Sequence, residues 1–221
     1  MPGSIPLHKS STCCLVLYIL ATQTAFGLDA AKDAQGEERR APPGKSVVLL
    51  VRHAEKPPQG AGLTPEGQRH AEAYVDLFTH YRLGEQPLKA DALFAARDSE
   101  NSTRSRLTLT PLSNALMVPL DTKYKGEDFA ALATRLRGGE YRGKTVIVCW
   151  KHGEILALAE SLGVNPARLP PSARWPAKWP DKEFRWVLQI VRDESGAIDP
   201  TRTRCIQNPP LKLGRATEAG R

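Results

Sequence analysis

The stretch VVLLVRHAEKPPQG, residues 47–60, begins as an apolar run and ends among charged residues and prolines. Its five apolar residues, Val47 to Val51, predict a strand buried on both faces, which is typical of a parallel sheet. Arg52 and His53 follow this strand at once. A histidine flanked by an arginine, directly after a buried strand, indicates polar groups held at one edge of a sheet.

A second stretch, KTVIVCWKHGEILALAESLG at residues 144–163, repeats this pattern. Thr145 to Trp150 predict a strand, His152 follows it, and the apolar spacing after it predicts a helix that ends at Gly163. In open α/β sheets, ligands bind just beyond the carboxyl ends of the strands. If the two strands are neighbours, His53 and His152 are expected to lie close together.

The rest of the chain alternates between predicted helices and strands, which is typical of a layered α/β domain with a mostly parallel sheet. A helix is predicted from the N-cap Thr64 to a stop at Gly84, and another from about Ser102, with Pro111 ending or kinking it. Further elements are a strand at 90–96, a helix with Phe129, Leu132, Ala133 and Leu136 closed by Gly138 and Gly139, a Pro- and Trp-rich loop at 170–181, and late strands within 184–192 and 203–207.

Length and charge set limits on the class of protein. The 221 residues, 41% of them hydrophobic, are enough for one sizeable core. The net charge of +7 is spread along the chain without a dense basic run. This pattern favours diffuse surface charge or a site for a small anionic molecule over a nucleic-acid surface. The oligomeric state is left open.

The first residues have the pattern of a secretory signal peptide. His8 and Lys9 precede a short apolar segment, and small residues end at Gly27, so residues 1–27 are predicted to be cleaved. The alternatives are an uncleaved anchor and a buried first helix. Residues 28–44 are interpreted as a linker and 45–221 as the folded domain, in a periplasmic or secreted protein without a stable membrane span. Cys149 and Cys205 then remain, and export would permit a disulfide between them.

Four segments together resemble the motifs of the histidine phosphatase superfamily, also called phosphoglycerate mutase-like. They occur in the superfamily's order over residues 46 to about 160, and KWPDKEF at 178–184 resembles a W-P-x-x-x-F segment of its small bacterial members. The resemblance implies a three-layer αβα sandwich with a mostly parallel sheet. The four segments are LLVRHAEK at 49–56, LTPEGQRHAEAY at 63–74, STRSRLTLTPLS at 102–113 and VIVCWKHGEI at 146–155.

The resemblance also implies a reaction. His53 would be the nucleophile that carries the phosphoryl group as phosphohistidine, and Arg52, Arg104 and His152 would hold the phosphate. Imidazole is a good nucleophile near pH 7, and fixed guanidinium groups stabilise the charge on phosphoryl oxygens. The scheme requires no metal and no other cofactor. The expected activity is hydrolysis of a small phosphate ester, and the alternatives are a phosphomutase and a non-catalytic phosphate- or polyanion-binding protein.

Two assignments within this scheme stay open. Arg104 and Arg106 both precede a threonine by four residues, and Arg104 is preferred because Leu112, eight residues on, suits a buried face. The superfamily's serine before this arginine is replaced by Glu100. The acid that protonates the leaving group is assigned to Glu154, beside His152, with Glu127 and Asp98 as alternatives. Trp175, Trp179 and Trp186 either line a sugar-stacking wall or pack their loop onto the domain.

Overall fold

A computed structural model describes residues 45–213. The predicted signal peptide, 1–27, and the predicted linker, 28–44, lie outside the described residues, as do residues 214–221. Within the described range, no helix combines the length and the apolar character needed to cross a membrane.

Residues 45–213 form eight strands and four α-helices. The strands are β1 Ser46–Arg52, β2 Arg82–Leu83, β3 Gln86–Pro87, β4 Ala92–Ala95, β5 Leu120–Asp121, β6 Thr145–Trp150, β7 Val187–Arg192 and β8 Arg204–Ile206. The helices are α1 Pro65–Thr79, α2 Arg104–Leu116, α3 Phe129–Arg137 and α4 Ile155–Ser161.

Six of the strands form one sheet in the order β5-β4-β6-β1-β7-β8. The strands β5, β4, β6 and β1 are parallel to one another, as expected for strands joined by helices. The late strands predicted near the C-terminus are β7 and β8, and they extend the sheet in antiparallel fashion beside β1. The predicted α/β class with a mostly parallel sheet is confirmed.

Each face of this sheet packs against a different pair of helices. Val48, Leu50, Val146 and Val148 face one hydrophobic cluster, which includes buried residues of α3 and α4. Val47, Leu49, Val51 and Ile147 face a second cluster, which includes buried residues of α1 and α2. The alternating residues of β1 and β6 therefore supply both clusters, and the predicted arrangement of three αβα layers is confirmed.

The end of α1 differs from the prediction. The helix begins after Thr64, whose hydroxyl accepts a hydrogen bond from the Gly67 N–H, but it ends at Thr79 and not at Gly84. Gly84 instead has a positive φ of 64° in the turn between β2 and β3. Tyr81 follows the helix and is still buried in the same hydrophobic cluster, where its hydroxyl donates to Gln189 Oε1 at 2.9 Å. Apolar spacing cannot distinguish a helical residue from a loop residue that packs on the same core.

Pro111 lies inside α2 and does not end it. A proline removes one backbone N–H donor and costs a helix roughly 3 kcal/mol. Leu109 and Leu112, on either side of it, are completely buried against the sheet. Burial of two such side chains contributes a comparable amount, so packing keeps the segment helical.

The two cysteines do not pair. Cys149 and Cys205 are both free, and they belong to the clusters on opposite faces of the sheet. The disulfide that the sequence left open is therefore absent from the described residues.

Gly67 is required where α1 passes close to the backbone after β1. A Cβ atom added at this position would lie 2.4 Å from the carbonyl oxygen of Glu55. We expect Gly67→Ala to lower the free energy of unfolding by about 1–3 kcal/mol, the usual cost of overpacking a rigid contact. Urea unfolding measures this, with Gly139→Ala as the matched control, because a Cβ there meets no atom within 4 Å. Equal stability of the two variants would contradict the close approach of Gly67 to the Glu55 backbone.

Candidate active site

Pairing between β1 and β6 brings the two histidines to the same edge of the sheet. In this parallel pair Arg52 lies opposite Trp150, so His53 and His152 leave neighbouring strands within a residue of each other. Neighbouring strands are about 4.8 Å apart. The His53 backbone N–H donates to the Trp150 carbonyl at 3.3 Å, which fixes the start of the first loop. Both histidine side chains line the same cavity.

This cavity has a volume of about 430 Å³, and each lining residue is polar or glycine. Basic groups and imidazoles predominate, with one carboxylate among them. Such a lining favours a small anionic, hydrophilic ligand over an apolar one. The lining residues are His53, Lys56, Ser99, Asn101, Ser102, Arg104, Lys151, His152, Gly153 and Glu154.

His53 is held in the form that a nucleophile requires. Its side chain is only 5% exposed, and Nδ1 lies 2.8 Å from the Ala54 carbonyl oxygen. A carbonyl only accepts, so we assign the proton to Nδ1, which leaves the lone pair on Nε2. Burial, with a smaller effect of the neighbouring Arg52 and Arg104 charges, lowers the pKa of His53 to about 4. The imidazole is therefore neutral at pH 7.

Arg104 begins α2 and is fixed from two sides. Its Nη2 donates to the Gly60 carbonyl at 2.6 Å, and its Nε donates to the Gly62 carbonyl at 3.3 Å. Thr108, one turn later, donates to the Arg104 carbonyl at 2.8 Å and accepts from the Ala54 N–H at 2.9 Å. Thr108 thus joins the start of α2 to the loop that carries His53. The threonine four residues after the arginine was part of the sequence signal, but its bond to Ala54 was not predictable.

Arg106, the alternative to Arg104, is placed differently. Its Nε donates to Asp98 Oδ2 at 2.7 Å, and neither residue belongs to the described lining of the cavity. The structure therefore brings Arg104, and not Arg106, to the two histidines.

The three candidates for the acid are also separated. Asp98 is paired with Arg106, and Glu127 is exposed in the short 3₁₀ turn Gly126–Asp128. Glu154 lines the cavity at the end of the turn that holds His152. Its Oε2 is buried and has no hydrogen-bond partner among the described residues. Asp98 Oδ1 is likewise buried without a described partner, so the cavity lining distinguishes the three: Glu154 belongs to it, and Asp98 and Glu127 do not.

Arg52 is 1% exposed and points toward the loop of residues 180–184, which we call the Asp181 loop. Its Nη1 donates to the backbone carbonyls of Pro180, Asp181 and Glu183 at 3.3, 2.7 and 2.9 Å. Its guanidinium carbon lies 4.0 Å from the centre of the Phe184 ring. Arg52 therefore lies next to His53 in the chain but is bonded to this loop, and it does not belong to the described lining of the cavity, unlike the other predicted phosphate ligands Arg104 and His152.

The Asp181 loop also contacts the two histidines. The Phe184 ring centre lies 6.0 Å from that of His53, and Asp181 Oδ1 lies 3.7 Å from His152 Nε2. Burial, followed by the charge of Arg52, lowers the pKa of His152, and the Asp181 carboxylate partly opposes this. Sequence reasoning did not place Asp181 at the site, although it lies within the W-P-x-x-x-F segment that carried a resemblance.

The tryptophans of the same region pack the loop. Trp179 is 2% exposed, and its indole N–H donates to the Glu183 carbonyl at 2.8 Å. Trp175 and Trp186 pack against the hydrophobic cluster beside α3 and α4. None of the three lines the described cavity, so the packing interpretation fits their placement and the sugar-stacking one does not.

The lowered pKa of His53 predicts a loss of stability in acid. As the pH falls from 6.5 to 4, the unfolded chain binds a proton at His53 that the folded protein does not bind. The free energy of unfolding should therefore fall by about 3 kcal/mol over this window from this group alone. Urea unfolding of the wild type and of His53→Asn at pH 7 and pH 4 measures the difference. Equal losses in the two proteins would contradict a neutral, buried His53.

Comparison with solved structures finds phosphatases and a mutase of similar fold. A protein histidine phosphatase SixA, solved with tungstate, is 17% identical, with a TM-score of 0.48 over 72% of this chain and 96% of that one. A mycobacterial glucosyl-3-phosphoglycerate phosphatase is 14% identical, with a TM-score of 0.43 over 77% and 100%. A phosphoglycerate mutase from Bacillus anthracis is 12% identical, with a TM-score of 0.43 over 74% and 95%.

No protein-family model and no curated protein sequence matches the chain. At these identities the similarity to the solved structures is one of fold alone.

Proposed function

We propose that the protein is a phosphomonoester hydrolase of the histidine phosphatase type, which acts through a phosphohistidine on His53. The observation that carries this proposal is a buried, neutral imidazole that shares a cavity with Arg104 and His152. A neutral ring provides the nucleophile, and the basic surroundings stabilise the charge of the group it attacks.

The first step forms a bond between His53 Nε2 and phosphorus and breaks the bond to the ester oxygen. The leaving oxygen takes a proton from Glu154, whose Oε2 has no other described partner. In the second step a water molecule gives a proton back to Glu154 and attacks phosphorus. The bond to Nε2 breaks, and inorganic phosphate leaves.

Three groups hold the phosphoryl oxygens in this scheme. Arg104 presents a guanidinium that is fixed by the Gly60 and Gly62 carbonyls, so its orientation costs nothing further when the charge develops. His152 faces the same oxygens from β6. Arg52 contributes its positive charge beside His53, and a direct contact would use Nη2, because Nη1 is bonded to the Asp181 loop.

The substrate in this proposal is a small phosphorylated molecule, because the cavity is about 430 Å³ and hydrophilic. We further propose that the protein acts in the periplasm or outside the cell, on the basis of the signal-peptide pattern of residues 1–27.

A panel of phosphate esters, assayed at several pH values with the purified chain, tests the activity. Release of inorganic phosphate from at least one ester, and not from the corresponding diester, is the expected result. A protein that binds inorganic phosphate but hydrolyses no ester of the panel would instead be a phosphate- or polyanion-binding protein on this fold.

A further inference from the structure

Two of the groups proposed to hold phosphate are already engaged by one loop. The Asp181 loop accepts three hydrogen bonds from Arg52 Nη1 and places the Asp181 carboxylate 3.7 Å from His152 Nε2. Asp181 is the residue that contacts both, through its backbone carbonyl on one side and its side chain on the other. Phe184 closes over the Arg52 guanidinium from the same loop.

The backbone of the Asp181 loop is anchored, whereas the Asp181 carboxylate is not. The Trp179 side chain, which precedes the loop, is buried and bonds to the Glu183 carbonyl. The Asp181 side chain itself is 80% exposed, so the anchoring comes from the backbone and from the neighbouring aromatic residues. A well-held backbone with an exposed carboxylate at its tip allows that carboxylate to move without unfolding the loop.

The charge at this position opposes anion binding. A distance of 3.7 Å is longer than a hydrogen bond but within the range of an ion pair with a protonated His152. A phosphate bound by His152 would bring its negative charge next to the Asp181 carboxylate. The two anions would therefore repel each other at the Nε2 side of this imidazole, whether the ring is neutral or protonated.

We infer that Asp181 is an internal competitor for phosphate at His152: it weakens the binding of inorganic phosphate, and the substrate must displace it. This inference rests on the proposed function, since it concerns the same site. The Asp181 loop would then shorten the time for which the product, inorganic phosphate, stays bound at His152. The sequence motifs did not indicate this role.

Asp181→Asn removes the charge with little change of shape. We expect its dissociation constant for inorganic phosphate, measured by titration calorimetry at pH 7, to be about two- to five-fold lower than that of the wild type, the size typical of an exposed pair. Inhibition by phosphate in the ester assay should strengthen by the same factor. Glu66→Gln is the matched control. Glu66 is also an exposed carboxylate, but its Oε1 lies 3.9 Å from Arg185 Nη2, so it pairs with Arg185 and not with His152.

The outcomes separate this inference from the proposed function. Unchanged binding in Asp181→Asn, or equal tightening in Glu66→Gln, would overturn the competition while leaving the phosphatase proposal intact. Weaker binding would show that Asp181 acts mainly by keeping His152 protonated, and would also overturn it. Failure of the wild type and both variants to bind phosphate or to hydrolyse any ester would overturn the proposed function itself.

Discussion

Replacing His53 by alanine is expected to lower kcat/KM for p-nitrophenyl phosphate by about 10³-fold or more. The variant loses the atom that forms the bond to phosphorus, and removal of a nucleophile has effects of this size or larger. The buried ring also fills space beside Phe184, so the circular dichroism spectrum and the unfolding midpoint of the variant should be recorded alongside the rate.

His80→Ala is the matched control for this prediction. His80 caps the end of α1, and its side chain is 77% exposed, outside the described lining of the cavity. It should retain the wild-type rate within about two-fold, as is usual for surface substitutions. A folded His53→Ala protein with undiminished activity would show that another residue is the nucleophile.

The second large effect is expected from Arg104→Ala, which should lower kcat/KM by about 10²-fold. Loss of one preorganised donor to a developing negative charge typically costs this much. Because Arg104 is held by two glycine carbonyls, Arg104→Lys should recover little of the activity: a lysine lacks the planar fork that meets both carbonyl and phosphoryl oxygens.

Arg106→Ala distinguishes the two arginines that the sequence left open. Its bond to Asp98 is a partly exposed ion pair, worth about 0–1 kcal/mol of stability. We expect its kcat/KM to stay within about three-fold of the wild type. The opposite ranking, with Arg106→Ala inactive and Arg104→Ala active, would contradict the site described here.

The parts of the site that follow buried strands were predictable from sequence. A run of apolar residues fixes where a strand ends, and the parallel pairing of β1 with β6 then determines that His53 and His152 are neighbours. Thr64 was equally predictable, because a helix N-cap is a local hydrogen bond between a side chain and the next turn.

The Asp181 loop was not predictable in the same way. Its position depends on long-range contacts: Arg52 bonds to residues about 130 positions later in the chain, and nothing in the local spacing encodes this. The same is true of the antiparallel placement of β7 beside β1, which carries the loop to the site. Pairing partners of a late strand are set by the whole sheet and not by its own residues.

Locating the phosphoryl group on the protein tests the central claim most directly. A reaction with a phosphate ester, quenched rapidly under alkaline conditions and analysed by peptide mass spectrometry, should show phosphate on His53, labile to acid and absent from His53→Ala. Phosphate found on another residue, or turnover of the ester with no phosphorylated His53 at any quench time, would contradict a mechanism through this imidazole.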